Sequence, residues 1–340
     1  MPWLPTWKGG AMVEFNPRNF RMWSMMGINP SIWSVAFPEV IAANPEVIAL
    51  TADLGRYSGM MRTWNKHPGN FLNVGIAEQN MIGIAAGLAL CGNTVFVTTY
   101  APFMTYRCAD QFRHLLGNHN LNIKAIGSAA GLSAGVSGTA LLAVNDIAFA
   151  RSIPNMAVLS PADCTEAIKM VVAIGDHEGP VYMRFCGEVN IPMVYRSDYE
   201  FEIGRAYPLK EGERILIAAT GTTIVAEALK AVATIESETG ISPAVVNFPT
   251  IKPLDETYLA SVAGKFERIY TIEEHSVIGG LGSAVAEFAA QRADFPRVQM
   301  LGIPDSIPVL GHRPFMLEQC GLTAEKISAG IINDMKEKNK

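Results

Sequence analysis

Short apolar runs rich in β-branched residues alternate with longer stretches of helical period along most of the chain. Strands are predicted at VIALTADL (47–54) and TVFVTTY (94–100), with a helix between them over residues 78–90. The same rhythm continues through ADQFRHLLGN (109–118), NIKAIGSA (122–129) and DIAFARSI (146–153). Alternation of this kind builds βαβ units, so it predicts a parallel sheet with helices on both faces. Residues 181–213 break the pattern, being charged and punctuated by Pro and Gly without a sustained helical period. Beyond them RILIAATG (214–221) is a buried strand, and TTIVAEALKAVATIESETG is an amphipathic helix that Gly240 stops. SPAVVNFPTIKPLD, RIYTIEEH and SAVAEFAAQ then repeat strand, loop and helix. The fold class is therefore α/β, with two parallel-sheet domains. An extension (1–29) precedes a first domain (30–195), a linker (196–208) and a smaller second domain (209–335).

Within this pattern FLNVGIAEQNMIGIAAGLAL (71–90) contains one acidic residue, Glu78, at the mouth of an otherwise apolar helix. Gly75 permits a sharp turn, and a helix beginning near Ala77 has no polar face, which predicts burial on all sides. The helix start partly stabilises an anion at Glu78, but a carboxylate removed from water stays costly unless something pairs with it. Capping of its own helix amides is the plainer explanation. Gly83 and Gly87, four apart, would let another helix approach closely, a subunit interface being one place for it. After the next strand Tyr100, Phe103 and Tyr106 recur every third residue, as a stacking wall for a planar ring or as ordinary core.

Composition narrows the function. A net charge of -5 with no dense basic block argues against nucleic-acid or anionic-membrane partners. Five dispersed cysteines without a C-x-x-C pair argue against disulfide and zinc frameworks. The N-terminal residues do not form a convincing signal peptide, and no apolar run is long enough to span a bilayer. A soluble, cytoplasmic protein acting on small molecules is expected.

Several blocks, NVGIAEQNMIGIAAGLA, YAPFMTYRCADQFR, FARSIPNMAVLSPAD, NFPTIKPLD and TIEEHSVIGGLGSAV, together resemble the C-terminal half of transketolase and its relatives. They occur in the family's order between about Val47 and Phe288. The resemblance implies the thiamine diphosphate-binding fold, a pyrimidine-binding domain followed by a transketolase C-terminal domain. It also implies that Glu78 bonds a ring nitrogen of the cofactor's aminopyrimidine, favouring the tautomer whose exocyclic nitrogen acts as the internal base. Tyr100 and Phe103, with Tyr106 beside them, become the candidates to stack on that ring. One extra residue separates these aromatics from Arg107, so the resemblance leaves open which ring stacks. Asp53 matches an acidic position near the cofactor and the subunit interface, although a strand-end Asp capping the next turn is an equal explanation. Arg184 matches a phosphate-binding Arg, Ser58 lies near a phosphate-contacting Ser, and Arg107 could reach a substrate anion or pair with Asp110.

The resemblance also has gaps. The family holds Mg²⁺ and the diphosphate on a separate N-terminal domain through a G-D-G motif and an Asn; here the Gly-Asp pair in IGDHEG (174–179) lacks that spacing. The chain is thus expected to be the small subunit of a split transketolase, its metal and diphosphate ligands lying on an N-terminal-half partner. Self-association across the cofactor interface would complete a heterotetramer. Where transketolases read sugar hydroxyls, GVSGTALLAVNDIAFAR puts Ser137 at an Asp, Leu141 at a His or Gln and Asn145 at a Glu, and Ala129 replaces a phosphate-contacting His. Losing such groups costs discrimination between polyols and less hydroxylated substrates. The expected activity is transfer of a two-carbon ketol unit between a ketose and an aldose, phosphorylated and, given the altered loop, open to an atypical sugar. The alternatives are an acyl-forming relative, of deoxyxylulose-phosphate synthase or 2-oxo-acid dehydrogenase beta-subunit type, and a silent or regulatory homologue. His67, His114 and His119 are assigned surface or capping roles, and His275 the contact between domains.

Overall fold

The structure, a computed structural model, describes residues 13–186 and 189–337. The first domain contributes β1 (Ile48–Thr51), β2 (Phe71–Asn73), β3 (Val95–Tyr100), β4 (Ile123–Ser128), β5 (Ala157–Leu159) and β6 (Val181–Arg184). The rest of the chain supplies β7 (Tyr207–Lys210), β8 (Arg214–Thr220), β9 (Ala244–Asn247), β10 (Thr250–Lys252), β11 (Phe266–Ser276) and β12 (Arg297–Ile303). The sheets run in the orders β10-β5-β6-β4-β3-β1-β2 and β12-β11-β8-β9-β7. All pairings are parallel except β10 with β5 and β7 with β9, so each mostly parallel sheet carries one antiparallel edge strand. Buried Val, Ile, Leu and Ala fill both faces of the two sheets, as crossover helices require.

Three boundaries differ from the sequence reading. Residues 13–29 are integral to the first domain: Asn16 caps the helix Pro17–Met26, which buries Phe20 and Trp23. The Ile191 amide returns to the Ser24 carbonyl at 2.9 Å. The remainder of the expected extension, residues 1–12, lies outside the described residues. β7 begins inside the segment read as a linker, because Tyr207 pairs with Asn247 at the edge of the second sheet. Finally, Thr250–Lys252 leaves the second domain to pair with β5, so the first sheet is completed by a strand from later in the chain.

Parallel strands bring their carboxyl ends to one edge, where α/β proteins place ligands. β3, β1 and β2 are neighbours. Their ends deliver Tyr100, Asp53 and the turn into the helix Glu78–Leu90 to the same rim.

Candidate active site

Glu78 is the first residue of its helix and only 4% exposed. Its carboxylate does not cap its own helix: Oε1 accepts from Arg107 Nη1 at 2.9 Å. Arg107 therefore pairs across the rim with Glu78, and Asp110, the alternative partner, bonds Arg113 at 3.1 Å. The Arg107 guanidinium also lies over Phe103, its carbon 3.9 Å from the ring centroid. Phe103–Arg107 forms a widened π-helical turn. Such a turn is wider than an α-helical one and carries Phe103 and Arg107 at its two ends.

Tyr100 lies beside Phe103, ring centroids 6.0 Å apart and tilted by 37°. Tyr106 points elsewhere: its hydroxyl bonds Asn145 Oδ1 and accepts from the Asn145 amide at 3.2 Å. Burial, then the Asp146 charge, holds the Tyr106 phenol well above its ordinary range. Phe103 is thus the ring that shares Arg107 with Glu78, while Tyr106 fixes the loop in which Asn145 stands. Below the site Cys108 is buried, and burial, then the Glu78 charge, pushes its thiol up to about 12. It is protonated at neutral pH.

Asp53 adopts a left-handed backbone (φ +59°), a conformation Asp tolerates better than most residues. It exchanges hydrogen bonds with Asn73: the Asn73 amide donates to Asp53 Oδ1 at 2.9 Å, and the Asp53 N–H donates to Asn73 Oδ1 at 3.0 Å. The same Asn73 oxygen accepts from the Gly75 N–H. Asp53 therefore holds the turn that leads to Glu78, while remaining exposed.

The two residues expected to hold a substrate phosphate both sit inside. Ser58 is 2% exposed, in the turn after Asp53. Arg184 is 3% exposed, and its donors go to Asp146 Oδ2 at 2.9 Å and to the Ala143 and Glu274 carbonyls at 3.3 Å. A buried guanidinium needs such a partner, and Asp146, also shared with the Tyr182 hydroxyl, provides it. Arg184 thereby joins the domains rather than opening toward solvent.

Of that junction the sequence indicated His275 alone; Glu273 and Glu274, which with it make three titratable residues in succession within an apolar strand, were not singled out. Glu274 accepts from the Leu132 N–H at 2.8 Å and from Arg313 at 3.1 Å. Burial raises its carboxyl, but Arg313 and the Leu132 amide outweigh burial and hold it below the ordinary value. Glu273 accepts from the Leu281 and Gly282 amides at the start of the helix Leu281–Ala289. A Cβ on Gly280 would stand 1.9 Å from Glu273 Oε2. His275 Nδ1 lies 2.8 Å from the Ser276 carbonyl, to which it donates, and Nε2 accepts from the Ala148 amide of the first domain at 3.2 Å. Burial lowers its pKa to about 4, so at neutral pH the ring is uncharged and Glu273, 3.8 Å away, is no ion-pair partner.

The helix Glu78–Leu90 buries Met81, Ile82, Ala85 and Ala86. The expected all-round burial is met on that face alone. Gly83 and Gly87 are exposed, Leu90 is 75% and nearby Ile76 77% exposed. Glu78 and Phe103 both touch one flat, donor-bearing group, the Arg107 guanidinium, and a buried carboxylate with an aromatic ring on the same partner is a donor set that suits an aminopyrimidine. Among the described residues no group of three or more His, Cys, Asp or Glu could hold a metal ion. None of the described helices is long and apolar enough to cross a membrane.

Fold and rim define a two-domain α/β module of the kind that presents a buried carboxylate and an aromatic face at a sheet edge. The transketolase pyrimidine-binding domain matches residues 32–188, and the transketolase C-terminal domain matches residues 204–327. The chain belongs to the transketolase family. It is 36% identical over 293 residues to a "putative transketolase C-terminal section" of Methanocaldococcus jannaschii, covering 86% of this chain and 91% of that protein. It is 36% identical over 289 residues to a 6-deoxy-6-sulfo-D-fructose transketolase subunit of a Clostridium species, covering 85% and 88%. A 1-deoxy-D-xylulose-5-phosphate synthase of Vibrio vulnificus is 30% identical over 325 residues, with 94% of this chain matching 51% of that one. Among solved structures, a split gene transketolase described as an inactive beta4 tetramer superposes with a TM-score of 0.79 at 36% identity, covering 90% of this chain and 98% of that chain.

Proposed function

We propose that the chain is the C-terminal-half subunit of a split, thiamine diphosphate-dependent transketolase, a cytoplasmic enzyme moving a two-carbon ketol unit between sugars. The single observation that carries this reading is a carboxylate 4% exposed at a helix start, joined through the Arg107 guanidinium to the Phe103 ring. When bound, thiamine diphosphate supplies a nucleophilic thiazolium carbon. Glu78 would hold a proton on the pyrimidine ring nitrogen, Phe103 would stack on the ring, and Tyr100 would flank it. Asp53, through Asn73 and Gly75, keeps the turn that positions Glu78. Mg²⁺ and the diphosphate fall to an N-terminal-half partner, and the open face of the helix Glu78–Leu90 is where a second copy would pack. The relatives' coverage, close to the whole of subunit-length proteins and about half of a single-chain synthase, supports the split arrangement.

The substrate end supports an atypical sugar. Ser137 is exposed and Leu141 half-buried in the loop where hydroxyl-reading groups would stand. Asn145 is tied to Tyr106. Relatives named for a sulfofructose and for apulose 4-phosphate show that subunits of this length serve different sugars. Co-expression with an N-terminal-half subunit, followed by assays with ketose phosphates and with pyruvate, separates ketol transfer from decarboxylation. Glu78→Gln is expected to lower kcat at least 100-fold, in line with typical losses of a positioned acid–base group, about 10² to 10⁴. Unchanged turnover in that variant would refute the cofactor role.

A further inference from the structure

We infer that Arg107 is a built-in competitor for the cofactor's pyrimidine seat, and that its side chain must leave before the cofactor can load. The inference rests on the cofactor reading of Glu78 and Phe103. The guanidinium makes both contacts that this reading reserves for the pyrimidine. It donates to Glu78 Oε1 at 2.9 Å, and it lies 3.9 Å from the Phe103 centroid. A guanidinium is flat, of roughly the breadth of a six-membered ring, and carries donors in its plane, so it imitates the pyrimidine in shape and polarity. The guanidinium engages carboxylate and ring at once.

The arrangement has a physical cause. Glu78 is too buried to remain charged cheaply without a cation, and Arg107 supplies one until a ring nitrogen can. The segment itself is anchored, since Gln79 Nε2 donates to the Arg107 carbonyl at 3.0 Å. Displacement therefore concerns the side chain, which is 46% exposed and has an open path outward. Apparent cofactor affinity is the intrinsic affinity reduced by the fraction of molecules in which the seat is free.

Thiamine diphosphate binding is measured by isothermal titration on the full chain assembled with its N-terminal-half partner, as wild type, R107M, R107K and E78Q. R107M is expected to bind about five- to tenfold more tightly, the range set by losing one partly exposed ion pair with its ring contact. R107K, which retains the charge but not the flat stack, should fall between R107M and wild type. Should R107M not assemble, tighter binding by R107K supports the inference and equal binding overturns it. Without cofactor, R107M should melt below wild type, and the E78Q/R107M double variant should recover, because the carboxylate left unpaired is then gone. R107M binding no tighter than wild type overturns the inference while E78Q still weakens binding. E78Q binding as tightly as wild type removes the cofactor reading, and the inference with it.

Discussion

Single carboxylates decide much of this molecule's chemistry, and Glu273 shows how pH enters. Burial pushes its carboxyl from an ordinary 4.5 up to about 7, although the Gly282 and Leu281 amides favour the charged form. Between those values the folded chain keeps a proton that the unfolded chain has released. The contribution is therefore full below about pH 4.5 and is lost as pH rises to about 7. His275 has the opposite sign: its folded pKa is lowered to about 4, so stability is gained as pH rises from there to its ordinary 6.5. Comparing wild type with Glu273→Gln isolates the first effect. Between pH 5 and pH 8 the urea-unfolding free energy of wild type should fall relative to the variant by on the order of 2 kcal/mol. A constant gap would mean that the carboxyl titrates normally. At this scale Glu78 was legible as one acid in an apolar helix. Its partner was not, because Arg107 stands 29 residues away and the π-helical turn that presents it leaves no periodic trace.

Elements were legible where period and length agreed. The predicted strand at 214–221 appears as Arg214–Thr220, and the helix before Gly240 ends there with its C-cap in the left-handed region, φ +71°. β6 was less visible, since a strand of four residues ending in Arg184 looks like part of a charged connection until Asp146 is seen to neutralise it. The helix Glu78–Leu90 carries the element-scale prediction. A Cβ at Gly83 or Gly87 meets nothing within 4 Å in this chain. Leucine at both positions should leave the isolated chain at least as stable, gaining about 0.5–1 kcal/mol of helix propensity per site. A helix packed across them would be forced away. Light scattering after gel filtration should then report a smaller assembly; an unchanged mass would place the contact elsewhere.

Across the whole molecule, the two domains are interlocked rather than strung together. β10 completes the sheet of the other domain, Arg184 is clasped by Asp146 and the Glu274 carbonyl, and Arg313 from near the C-terminus neutralises Glu274. Calorimetry of the full chain should therefore show one unfolding transition, and two resolved transitions would contradict this. Arg313→Met, which leaves Glu274 buried without its cation, should lower stability by roughly 3–5 kcal/mol and shift that single transition as a unit. None of this interlocking follows local rules, since each contact joins residues far apart in sequence. Periodicity could divide the chain into domains but not show them sharing a strand.

The open face beside Glu78 has a consequence for how the protein is made. Leu90 and Ile76 stay in water on a released chain, beside two glycines that invite close packing. Until that face is covered, a newly made chain carries an adhesive stripe whose occupant, on the reading proposed above, is a second copy of itself. Covering it would then depend on the chain's own concentration, so dilution of the purified protein should uncover the stripe and lower its solubility.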